Sequence, residues 1–172
     1  MKPRLFILLF VAGLLALGIL AIACGDDGEE LTLEEYFREV ESLSDEADER
    51  VEPLVEALNQ EFDSEAEQIE ATRDYFNASI PILRDFGDSL DEVDPPAEVE
   101  NPHEEAVAGI AELVEFLQDF TDRFADVEST SDLEELLDAP ELEAASDRFD
   151  QACFDLQDIA DVNDIDVDGE CQ

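Results

Sequence analysis

The sequence predicts an all-α protein: an antiparallel bundle of about four long helices with a disulfide-tied C-terminal tail. Three observations predict it. After residue 31, apolar residues recur at alternating steps of three and four. Ser or Thr followed three residues later by Glu opens several of these stretches. Proline-rich or acidic turns separate them, and no strand pattern competes before the tail.

The first element is apolar. "MKPR" supplies a short positive start, and Leu5 to Ala23 carries no charge. That run is long for a secretory segment and just reaches the length of a membrane span. Three readings compete. "AIA" at Ala21 to Ala23 offers a cleavage site for simple secretion. A retained span would keep the whole run. "LAIAC" resembles the bacterial lipoprotein pattern, with Ala21 where that pattern prefers Leu and Leu20 one place earlier. The cysteines favour the third. There are three, Cys24, Cys153 and Cys171, and an odd cysteine in an oxidising compartment needs an explanation. If Cys24 carries lipid, the other two are left to pair. Residues 1–23 are therefore predicted to be a lipoprotein signal peptide, residues 24–30 an acidic tether after lipidated Cys24, and residues 31–172 the helical bundle domain. At about 0.8 kcal/mol per buried methylene, two or more acyl chains such as palmitate anchor stably where one does not. Lys2 and Arg4 hold the N-terminus inside. The expected place is the cell membrane, lipid-anchored, on the extracytoplasmic side. The tether reaches about 20 Å when extended.

The helices follow in order. "TLEE", Thr32 to Glu35, matches a capping box. Leu33, Tyr36, Phe37, Val40, Leu43, Ala47, Val51, Leu54, Val55, Leu58 and Phe62 then form one stripe, with Pro53 expected to kink or split the helix. "SEAE", Ser64 to Glu67, opens a second helix, interrupted in the same way by Pro81. "DPPAEVENP", Asp94 to Pro102, reads as the clearest linker. Asn101 is expected to be an N-cap with Pro102 at the first helical position of a third helix. Ser131 with Glu134 suggests another capping box over a short turn, and Pro140 restarts a fourth long helix. The phenylalanines recur at helical spacing, which makes them core rather than a ligand cage.

The tail carries two candidate features. A Cys153–Cys171 bridge would fold it back on the last helix and contribute about 3 kcal/mol by loop entropy. "DIDVDGE" places Asp164, Asp166 and Asp168 at positions one, three and five of an EF-hand-like calcium loop, with Gly169 at six. The bidentate Glu of position twelve has no counterpart in the sequence, so a weak Ca2+ site competes with a plain tail in which Ile165 and Val167 tuck into the bundle.

Charge and composition exclude much else. The chain holds 50 acidic and 8 basic residues, and no acidic residue precedes Cys24. A chain beginning at Cys24 keeps six arginines and a formal charge of about −44. Such a surface repels nucleic acid. The one histidine, His103, opens the third helix beside Pro102. It is read as packing against the linker or capping a neighbour rather than as a metal ligand or base, because transition metals need several such ligands. No paired Glu-x-x-His, C-x-x-C-H or Gly-rich phosphate loop occurs. No enzyme and no required cofactor are expected.

The layout resembles uncharacterised exported lipoproteins of Chloroflexi and Actinobacteria. The residues that carry the resemblance are "LAIAC", "DPPAEVENPHEEAV" and "ASDRFDQACFDLQDIADVNDIDVDGEC". It implies a surface-anchored helical domain and supplies no catalytic residues. The expected function is that of a membrane-anchored extracytoplasmic lipoprotein whose acidic bundle has a non-enzymatic interaction or envelope-associated role. The alternative is an extracytoplasmic calcium- or cation-binding protein.

Overall fold

A computed structural model describes residues 31–137 and 140–167. Cys24, the tether, Asp168 and Cys171 lie outside the described residues. Within them the protein is all-helical, with no strand. Its helices are α1 (Leu33–Leu58), α2 (Glu65–Asp91), α3 (Glu100–Arg123), α4 (Thr130–Leu137) and α5 (Pro140–Val162), with a 3-10 turn at Phe124–Asp126 after α3. Four of them are long, and the fifth, α4, is an eight-residue link. None of these helices is long and apolar enough to cross a membrane.

Successive long helices pack against one another. Arg50 of α1 reaches Asp85 of α2 at 2.7 Å. Gly87 of α2 lies against Ile110 of α3, and Gly109 of α3 lies against the backbone of Phe149 in α5. Arg148 of α5 pairs with Glu105 and Glu112 of α3. A Cβ on Gly109 would stand 2.7 Å from the Phe149 amide nitrogen, so only hydrogen at that Cα lets α3 and α5 come this close.

The main core is a chain of aromatic rings. Phe76 of α2 meets Phe120 of α3 at 5.1 Å and Phe124 at 5.6 Å, and Phe120 meets Phe124 at 5.4 Å. Ile80, Leu90, Ile110, Val114 and Leu117 extend it. Each such side chain contributes about 2 kcal/mol by leaving water. Phe154 is the exception among the described phenylalanines, 44% exposed on α5. Thr72 and Ser79, buried here, return their hydroxyls to the carbonyls of Gln68 and Phe76.

Several local expectations change. Pro53 and Pro81 split neither helix. A mid-helix proline costs about 3 kcal/mol, and packing on both sides outweighs it: Ile80 and Ile82 flank Pro81 in the core. The Thr32 box forms as expected, with Glu35 returning to the Thr32 amide at 3.0 Å. Ser64 caps the Glu67 amide, but the Glu67 carboxylate takes the amide of Asp63 instead. The box before α4 is Ser129 with Asp132, two residues earlier than expected. Helix α3 begins at Glu100 with Val99 at its cap, so Asn101 is no cap and Pro102 stands third in the helix. The Pro96 carbonyl accepts from the Val99 amide at 2.9 Å and winds the chain early. Pro102 is tolerated because the first amides of a helix have no partner within it.

Candidate functional site

The features with chemical content gather at one end of the bundle, where α1 begins, α2 turns into α3 and α5 stops. Thr32 stops the chain from fraying and starts α1, which puts Tyr36 and Phe37 one turn in. The linker folds over them: the Val93 amide bonds the Leu90 carbonyl, and the His103 amide bonds that of Val99. Tyr36, Phe37, Val93, Val99 and Ala160 form a second buried cluster, packed by Leu156, Ile159, Ile165 and Val167.

His103 is only 5% exposed and Tyr36 is fully buried. The Tyr36 hydroxyl lies 3.1 Å from His103 Nδ1, a bond between α1 and α3. The two rings meet edge-on at 5.7 Å, as do Tyr36 and Phe37 at 5.3 Å. With its proton on Nε2, the neutral imidazole accepts from the hydroxyl at Nδ1. Burial holds the imidazole below its ordinary value, against the pull of the Asp91 and Glu104 carboxylates. Burial alone drives the Tyr36 phenol well above its ordinary range, so it stays protonated.

The sequence set His103 against the linker, whereas the structure gives its ring a partner on α1, Tyr36, that the sequence did not offer. Tyr36 lies 67 residues away, and its place on the apolar stripe marked it only as core.

Asp164 has a role that the spacing of aspartates does not suggest. It has φ 56°, the left-handed conformation. Its amide bonds the Asp161 carbonyl, and the Ile165 amide bonds that of Ala160 at 3.0 Å. This is a Schellman stop, in which a left-handed residue satisfies the last carbonyls of a helix. Asp tolerates that conformation better than most side chains. Asp164 thus ends α5 and turns Ile165 and Val167 into the second cluster, while Asp164 and Asp166 face water. Among the described residues no cluster of three or more His, Cys, Asp or Glu is placed to hold a metal. Cys153 is half-buried late in α5.

Asp48 was missed by the sequence reading. Both its carboxylate oxygens are buried with no hydrogen-bond partner among the described residues. Burial, with Asp45 and Glu52 a turn either side, pushes it up to about 7. A signal existed: Asp48 stands three positions before Val51 and seven before Val55, on their face of α1.

No protein-family model, curated protein or solved structure matches the chain.

Proposed function

We propose that the protein is a bacterial lipoprotein of the exported helical type, held by acyl chains on Cys24 at the extracytoplasmic face of the cell membrane. Its acidic bundle serves as a non-enzymatic interaction or envelope-associated module. The observation that carries this reading is the uncharged run Leu5 to Ala23, ending in "LAIAC" and followed by every acidic residue of the chain. Residues 1–23 are removed and residues 24–30 form the tether. Helix α1 starts at Leu33, nine positions past Cys24, so the domain stands close to the bilayer. Its charge of about −44 holds it off anionic head groups and suits basic partners over nucleic acid. In the finer form of the fold, the long helices make one four-helix antiparallel bundle, and Cys153 pairs with Cys171 to pin the tail.

The intact mass of the protein, purified from its native membrane with and without reductant, tests this. A chain starting at Cys24 with acyl mass, gaining about two daltons on reduction, supports both the anchor and the bridge. An uncleaved, unmodified chain sinks the lipoprotein reading.

The calcium reading rests on the spacing of Asp164, Asp166 and Asp168 alone. A saturable rise in melting temperature with Ca2+, lost in Asp166→Ala, would support it. A rise that sodium reproduces reports only screening of charge.

A further inference from the structure

We propose that the Tyr36–His103 contact is an acid-sensitive latch, closed while the imidazole is neutral and opened by its protonation, which frees the first turns of α1 from α3 and the linker. The inference stands on the second cluster and does not depend on the anchor at Cys24.

The contact is a polar tie between α1 and α3 at this end, and it is sealed among apolar groups. Protonation changes it in two ways. Nδ1 becomes a donor, so the Tyr36 oxygen must accept and its own proton must turn away. A full charge also enters a site where His103 is only 5% exposed and Tyr36 is fully buried. The groups that bear on the imidazole can be named by element. Helix α1 offers the Tyr36 hydroxyl, which stays protonated. Helix α2 offers Asp91 and α3 offers Glu104, both favouring the charged ring. Helix α5 and the residues after it bring Leu156, Ile159, Ala160, Ile165 and Val167, all apolar, to the cluster. Burial outweighs the two carboxylates, so the ring binds its proton less readily here than in the unfolded chain.

The pH window follows. The contribution of His103 to closing is whole above its unfolded value of 6.5. It falls as pH drops below that, by up to about tenfold in the opening equilibrium per pH unit, until the folded ring also takes the proton. The rest of the molecule responds in the opposite sense. Acid neutralises carboxylates in a strongly negative chain, and Asp48, twelve positions along the same helix, is relieved near pH 7. Between pH 8 and pH 5 acid therefore relieves Asp48 in the middle of α1 and loosens this end.

The test is hydrogen exchange of the full chain in detergent between pH 8 and pH 5, corrected for intrinsic rates. The imidazole is followed in parallel by NMR, where one histidine gives one resonance. Protection at residues 33–40 should fall up to about tenfold per pH unit below 6.5, while residues 72–82 hold or gain. His103→Gln should remove that pH dependence. Protection at 33–40 that rises with acid like the rest overturns the latch, as does a His103→Gln variant that keeps the wild-type profile. If His103→Gln does not fold, the wild-type resonance decides. A midpoint below 6.5 that tracks loss of protection supports the latch, and a midpoint at or above 6.5 overturns it.

Discussion

The middle of the bundle and helix α1 are held by different physics. Helices α2, α3 and α5 meet through shape: Phe76, Phe120 and Phe124 interlock, and Gly109 lets α5 approach to backbone contact. Helix α1 buries only Tyr36, Phe37 and Val51, and two of its inward groups can ionise. One of these, Tyr36, is bonded across to α3, while the other, Asp48, has no partner among the described residues. A helix attached by apolar shape loses stability when atoms are removed. A helix attached through buried polar groups gains or loses with pH.

The sharpest way to break the comparison is to cut into the ring chain. Phe120→Ala should cost about 4 kcal/mol, read by urea denaturation, with little change in its pH dependence. A cost under about 1 kcal/mol would mean that the middle is not packed as described.

Gly109→Ala comes next. Its Cβ would stand 2.7 Å from the Phe149 amide nitrogen and 2.9 Å from its Cα, and backbone cannot step aside. A loss of about 3 kcal/mol is expected. Gly87→Ala meets a side-chain methyl, Ile110 Cγ2, at the same 2.7 Å. There the gain in helix propensity of about 1 kcal/mol offsets part of the clash, because buried, β-branched Ile110 can turn only a little, so Gly87→Ala should cost less than Gly109→Ala in thermal melts.

Two tyrosines test the polar side. Tyr36→Phe leaves His103 Nδ1 buried without its partner and should cost about 1 to 2 kcal/mol. The Tyr75 hydroxyl in α2 is buried with no partner among the described residues, and burial pushes it up to about 12. Tyr75→Phe should therefore be neutral or stabilising by up to about 1 kcal/mol. Equal losses in thermal melts would erase the distinction.

The smallest effect concerns Asp48. Its folded value is raised from 3.8 to about 7, so the penalty on folding grows between those limits and stays constant above them. Asp48→Asn should stabilise at pH 8 by about 1 kcal/mol once solvent screening is allowed for. It should do nothing at pH 3. A gain that is the same at both values would show that ionisation of this carboxyl is not responsible.

Much of the fold is legible in the sequence. The stripes marked α1, α2, α3 and α5, and the Thr32 box marked the start of α1, because helix periodicity and capping are local chemistry. Starts set by the chain's wider path were less legible. Val99 displaced Asn101 as the cap of α3 because the turn after Pro96 closed first. Pro81 could not be judged until Ile80 and Ile82 were seen buried beside it. Asp164 looked like a calcium ligand in the spacing of aspartates, and only the backbone at φ 56° revealed a helix stop.

By itself, the sequence determined an all-helical chain with a strongly acidic surface, because periodicity and formal charge need no partner to be counted. It also pointed to Cys24 and to the pairing of Cys153 with Cys171, which lie with the proposals. The tertiary structure alone decided which polar groups are sealed from water. Tyr36 and His103 are ordinary residues 67 positions apart until α1 and α3 are laid side by side. Burial and cross-helix hydrogen bonds are properties of two elements at once, and no window on one of them contains the other.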